Sequence, residues 1–227
     1  MGEKIIQPPF YNSGFYNTGA GGGGGGGGGF FNKDISFATC SNIGIYPSED
    51  KIKNGFESGG GTGGFVTRTN LYNNDLNIDF CIKYNRNSSG GSDYIVSYNS
   101  TNSNFNDGRL FTIRHDWSSG LVNFQVATSS TSWNTLNYNV ASGSGVNKFN
   151  VQIKKHGTNL DIKFFINGVK KYDNTSVDYT NGVWCPSFFM ENTYQNQRPS
   201  TWGLKTGEYI ILSETYLIVN DVKIFGT

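Results

Sequence analysis

From Phe149 to Val169 the chain alternates apolar and polar side chains with a period of two, twice in succession. Phe149, Val151 and Ile153 alternate with Asn150, Gln152 and Lys154. After His156-Gly157-Thr158-Asn159, the residues Leu160, Ile162, Phe164 and Ile166 resume the pattern against Asp161 and Lys163. A helix buries residues three and four apart, whereas this pattern buries one face of a strand. Asn167-Gly168 then separates Ile166 from Val169, and a two-residue Asn-Gly loop suits the type I′ turn that matches the twist of paired strands. The spacing predicts Ile166 opposite Val169 on one face and Phe165 opposite Lys170 on the other.

Further strands are expected over 65–69, 76–84, 94–98, 110–115, 121–127, 187–191, 209–212 and 217–225. Asn-, Ser- and Gly-rich loops lie between them, such as 85–93 and 100–108. No stretch of ten or more residues carries a capped apolar stripe at helical spacing. Many short strands about ten residues apart predict an all-β sandwich or barrel. The aromatic content of 15% and the 31 glycines fit that class, since aromatics suit pleated surfaces and glycine suits tight turns.

Eighteen Lys+Arg against seventeen Asp+Glu leave a net charge of +1, so nothing favours a nucleic-acid partner electrostatically. No membrane span is expected, because the apolar stretch at 208–225 is broken by Ser213, Glu214, Asn220 and Asp221. Cys40, Cys81 and Cys185 cannot all pair within one chain and lack metal-ligand spacing, which leaves them as small buried side chains. Met1–Pro9 has no uninterrupted apolar core, so a secretory signal is not expected there.

Residues 1–34 differ from the rest. Phe10-Tyr11-Asn12-Ser13-Gly14 is followed by Phe15-Tyr16-Asn17-Thr18-Gly19, then by an unbroken run from Gly21 to Gly29 closed by Phe30-Phe31. Nine glycines bury no side chain and lose the most backbone entropy on ordering, so alone they form a flexible tether. Glycine also permits close backbone approach, and the aromatics Phe10, Tyr11, Phe15, Tyr16, Phe30 and Phe31 could anchor either end. The segment reads as an extended docking arm or a plain linker ahead of a sandwich over 35–227.

Residues 76–84 (Leu-Asn-Ile-Asp-Phe-Cys-Ile-Lys-Tyr) resemble an early strand of laminin-G-like, concanavalin A-like domains, where an aromatic usually stands in place of Cys81. The segments Phe149–Lys155, Gly157–Leu160 and Phe165–Val169 resemble their central hairpin, and Asn220–Phe225 is similar to their last strand. The resemblance covers about residues 55–227. It implies a two-sheet antiparallel jelly roll with one concave face, in a family that includes lectins, adhesion modules, virion decorations and β-glucanases.

The chemistry must therefore come from the residues. Glucanases of this fold carry a Glu-x-Asp-x-x-Glu strand, because retaining hydrolysis needs two carboxyls about 5 Å apart. Glu3, Glu49, Glu57, Glu191, Glu208 and Glu214 form no such pattern, and no Gly-x-Ser-x-Gly elbow occurs. His115-Asp116 are strand neighbours and point to opposite faces, while His156 reads as a solvated turn residue. No enzyme activity is expected.

No cofactor is required either. The family resemblance implies a rim Ca²⁺ site, for which Asp93, Asp107 and Asp116 are the nearest candidates, although turn formation accounts for them equally. The glycine runs lack the Lys-Ser/Thr and the following helix that phosphate cradling needs. Carbohydrate binding remains: rings stack on sugars while amides and carboxylates bond their hydroxyls. Trp133, Trp117, Tyr94, Tyr98 and Tyr138 lie near polar stretches, with Trp133 between Ser132 and Asn134, although core packing accounts for single aromatics as well.

A glycine-rich, aromatic-flanked arm ahead of a jelly-roll head is reminiscent of bacteriophage head-fibre, decoration or tail proteins. The resulting expectation is a non-enzymatic virion protein whose arm docks on capsid or tail proteins and whose head forms a homo-oligomer or binds host-surface glycans. The alternatives are an extracellular or bacterial cell-surface carbohydrate-binding module, and a glycan-cleaving enzyme of the same fold.

Overall fold

The computed structural model describes residues 29–32, 34, 36–41, 43–54, 64–69, 77–86, 91–98, 109–116, 119–128, 132–140, 145–178, 186–189, 204–205 and 207–227. In chain order the strands are β1 (Ser36–Ser41), β2 (Ile43–Tyr46), β3 (Lys51–Asn54), β4 (Gly64–Thr69), β5 (Asn77–Arg86) and β6 (Gly91–Tyr98). Then follow β7 (Arg109–Asp116), β8 (Leu121–Ala127), β9 (Trp133–Asn139), β10 (Gly145–His156), β11 (Asn159–Ile166) and β12 (Val169–Asp178). The last are β13 (Pro186–Phe189), β14 (Tyr209–Ile211), β15 (Tyr216–Val219) and β16 (Val222–Phe225). The only helical turns among the described residues are two short 3-10 segments, Pro47–Glu49 and Leu212–Glu214.

All pairings are antiparallel and build two sheets. One runs β1-β4-β13-β6-β7-β8-β9; the other runs β12-β11-β10-β5-β14-β3-β2, with β15 beside β5 and β16 beside β15. Side chains from the two inner faces meet. Phe124 of β8 stacks on Phe164 of β11 with ring centroids 4.1 Å apart, and Phe80 of β5 lies 5.6 Å from Phe111 of β7. These aromatics are fully buried, and such burial stabilises by about 1.5–3 kcal/mol per side chain. The molecule is an all-β jelly-roll sandwich.

The central hairpin has the predicted register: Ile166 pairs with Val169 and Phe165 with Lys170. Asn167 and Gly168 both have positive φ, 51° and 80°, as a type I′ turn requires. At the other end of β10, Gly157 alone of the two loop residues has positive φ, the type II′ pattern.

The segment 217–225, expected as one strand, is instead a second hairpin. Asn220 and Asp221 both adopt left-handed φ, 49° and 63°, and fold β16 back on β15. Both residue types tolerate that region, so the polar pair that interrupts the apolar run makes the turn. Strands also extend beyond their expected limits where polar residues continue the ladder, as at Asn85 and Arg86 in β5 and Gly91–Asp93 in β6.

Phe30 and Phe31, expected as anchors at one end of the arm, are placed by the structure in the head. They are 3% and 5% exposed and belong to the sandwich core, packed against Phe65 of β4 and Phe225 of β16. Phe31 bridges Phe225, Asn32 donates its backbone N–H to Ile224 O at 2.9 Å, and Gly226 donates to Phe30 O at 2.9 Å. Two large apolar rings beside a short edge strand bury themselves there. Phe10, Tyr11, Phe15 and Tyr16 lie outside the described residues.

Candidate functional site

β8 alternates strictly, and together with β7 and β9 it builds two different surfaces. Inward, Val122, Phe124 and Val126 of β8 are fully buried, and Leu136 and Tyr138 of β9 pack against the same core. Outward, the register sets Arg114 opposite Asn123 and Asn123 opposite Asn137; the next row sets Thr112 opposite Gln125 and Gln125 opposite Thr135. Within these rows Asn123 Nδ2 donates to Asn137 Oδ1 at 2.6 Å, and Gln125 Nε2 donates to Thr135 Oγ1 at 3.3 Å. Arg114, Thr135 and Asn137 are exposed, and Asn123 and Gln125 are half-buried.

The result is a rigid, nearly uncharged field of amides and hydroxyls with one guanidinium. Amides carry both donors and acceptors, and so does a sugar hydroxyl, so the two chemistries match. Thr112 is 3% exposed, and its hydroxyl has no hydrogen-bond partner among the described residues.

The expected aromatic contacts fall as follows. Trp133 opens β9 opposite Ala127, two residues before the exposed Thr135. Tyr94 lies in β6 opposite Ile113, and Tyr98 pairs with Pro186. Tyr138 is half-buried. Its hydroxyl donates to Lys171 O at 2.9 Å, its ring lies 5.9 Å from Phe164, and burial raises its phenol pKa. It links the two sheets and does not present a free ring. Trp117 lies outside the described residues. Of the metal candidates, Asp93 and Asp116 stand on β6 and β7, opposite Arg114 and Gly91, and Asp107 lies outside the described residues. Among the described residues no three His, Cys, Asp or Glu side chains come together.

The outer face of the second sheet is different in kind, because it carries charges that engage each other. Glu214 accepts from both Lys83 and Lys148, the latter at 2.9 Å, and these bonds hold its carboxyl below the usual range while raising Lys148. Asn150 donates to Asp79 at 2.8 Å, and Tyr216 donates to Asp79 at 3.3 Å. Burial, followed by the Asp79 charge, pushes the Tyr216 phenol up. Between them Cys81 is 1% exposed, and burial pushes its thiol up to about 11, so it is a protonated, inert packing group.

The histidines separate likewise. His115 is buried, with Nδ1 2.5 Å from the Tyr84 hydroxyl, whereas His156 ends β10 and pairs with Asp161 at 2.9 Å. Glu208, 1% exposed, accepts the Lys205 N–H at 3.0 Å.

No family model matches the sequence, and no curated protein matches it. Solved structures similar to it include an alginate lyase, at 14% identity and TM-score 0.46, over 81% of this chain and 88% of that one. A β-glucanase of Bacillus licheniformis matches at 10% identity and TM-score 0.45, over 80% of this chain and 91% of that one. A carbohydrate-binding module of Bacillus subtilis matches at 11% identity and TM-score 0.39, over 69% of this chain and 90% of that one. At this level the likenesses carry no argument about activity.

Proposed function

We propose that the protein is a non-catalytic glycan-binding component of a virion, with its sugar-binding surface on the outer face of β7, β8 and β9. The observation that carries this reading is the pair of outward rows, Arg114–Asn123–Asn137 and Gln125–Thr135, held on rigid strands by the Asn123–Asn137 and Gln125–Thr135 hydrogen bonds. Fixed amides bind hydroxyls without a large ordering cost, which is what a weak, multivalent surface receptor needs. Trp133, at the mouth of β9, is the ring proposed to stack on the sugar. On the opposite sheet Asp79 is engaged by Asn150 and Tyr216 and Glu214 by Lys83 and Lys148, which favours binding over acid–base catalysis.

The arm supports the virion reading through its aromatic repeats and glycine run, together with its root at Phe30 and Phe31 in the head core. A cell-surface carbohydrate-binding module is the alternative home for the same head.

A broad glycan array tests the binding. The wild-type chain is expected to bind at least one glycan, and Asn123→Ala with Asn137→Ala should weaken that binding about tenfold or more. An array with no binder, or undiminished binding by the double variant, overturns the proposal. Release of reducing ends or unsaturated uronates from β-glucan or alginate would overturn the non-catalytic part. Absence of the chain from purified particles would overturn its placement in a virion.

A further inference from the structure

Among the described residues the seven-stranded sheet ends on β9, and the backbone groups on its outer side can be identified. Thr128 N–H bonds Ser132 O at 2.8 Å, and Val140 N–H bonds Gly120 O at 2.9 Å. These two bonded pairs fix the phase of the β8–β9 ladder. Residues 132, 134, 136, 138 and 140 exchange hydrogen bonds with β8, while Trp133, Thr135, Asn137 and Asn139 aim their N–H and C=O groups away from it.

Natural edge strands are guarded by lysine, proline, bulges or shortness. The neighbouring sheet shows such guards: β12 carries Lys170, Lys171 and Asp173 and breaks register twice, and β2 is four residues long with Pro47 just beyond it. β9 has seven residues, no charge, no proline and an unbroken register.

We propose that β9 is a self-association edge, which pairs antiparallel with β9 of a second copy about a twofold axis at Leu136. That axis sets Thr135 opposite the partner's Asn137 and Trp133 opposite the partner's Asn139. All four residues per strand are outward-aiming ones, so the register satisfies roughly eight backbone hydrogen bonds. The paired strands themselves carry no charge, so no like charges meet within the ladder. It also reproduces the chemistry already present between β8 and β9, where amide faces amide and amide faces hydroxyl. The outward rows then run unbroken across both copies, which would double the proposed glycan surface. The pairing itself does not depend on any sugar being bound.

A single strand pair is smaller than a standard stable interface, so the dimer is expected to be reversible, monomeric near ~1 µM and dimeric near ~100 µM. Sedimentation velocity across that range tests it, with Thr135→Pro as the variant. Proline there removes an outward N–H and the Gln125–Thr135 side-chain bond but leaves the backbone ladder to β8 whole. A dimer in the wild type that is lost in a Thr135→Pro variant that remains folded supports the pairing. A wild type monomeric throughout, or a dimer that persists in the folded variant, overturns it. If the variant does not fold, amide exchange of the wild type decides. Slower exchange at Thr135, Asn137 and Asn139 with rising concentration supports the pairing; unchanged exchange there, or protection appearing on β1 instead, overturns it.

Discussion

Replacing Asn167 by alanine tests how the central hairpin is held. Asn167 has φ of 51°. Its side-chain oxygen accepts the Lys148 N–H at 2.8 Å, and its amide donates to Asn147 Oδ1 at 3.0 Å. Its backbone N–H meanwhile bonds Lys148 O at 2.8 Å. The side chain thus extends the β10–β11 ladder past the last true pair. Alanine keeps the backbone bond, loses both side-chain bonds at about 1 kcal/mol each, and adds about 1 kcal/mol for a left-handed conformation it disfavours. The sum is about 3 kcal/mol, or a melting temperature roughly 6–12 °C lower for a chain of this size. Glycine relieves the backbone term and should cost about 2 kcal/mol, while aspartate keeps both φ and the acceptor and should cost about 1 kcal/mol. Urea titrations followed by far-ultraviolet circular dichroism would rank the three. A loss under about 0.5 kcal/mol for Asn167→Ala, or equal losses for all three, would refute this account of the turn.

Phe31→Ala should destabilise by about 3–5 kcal/mol, as for other large-to-small core changes, and chemical denaturation would show it. Gly226→Ala places a Cβ 2.6 Å from Tyr216 Cβ and 2.9 Å from Thr215 O at a φ of +123°. It should free the Phe30–Gly226 hydrogen bond and speed proteolysis around residue 29, read by mass spectrometry of the cut products. Tyr84→Phe removes the hydroxyl beside His115 and should cost about 1–3 kcal/mol in urea unfolding. Glu214, whose carboxyl is lowered from 4.5 by Lys83 and Lys148, contributes stability that is present above pH 4.5 and lost as pH falls through its lower folded value. The group is partly exposed, so Glu214→Gln should cost under about 1 kcal/mol at pH 7 and flatten the stability profile below pH 4.5.

The hairpin of β10 and β11 was readable from the sequence because strict alternation and an Asn-Gly loop fix face, register and turn together. β9 was not, since Leu136 and Tyr138 are its only inward apolar residues and its remaining asparagines and threonine look like loop. The same ambiguity hid the candidate site. Asn123, Gln125 and Asn137 are read most simply as turn-formers or solvated positions, and only the cross-strand register shows them standing in rows. Asn220-Asp221 was masked by the apolar residues on either side, although both types tolerate the left-handed region that the turn uses. Phe30 and Phe31 were assigned by their glycine neighbours, whereas their burial depends on Phe65 and Phe225, far away in the chain.

That distance has a consequence for biosynthesis. Asn32 bonds Lys223 across 191 positions, and Phe30 and Phe31 lie against the closing strand. During translation these two phenylalanines emerge well before the strand that shelters them, which follows 191 positions later. Until β16 has emerged the nascent head carries a greasy, uncovered seam, and a chaperone that recognises paired phenylalanines would find its opening there.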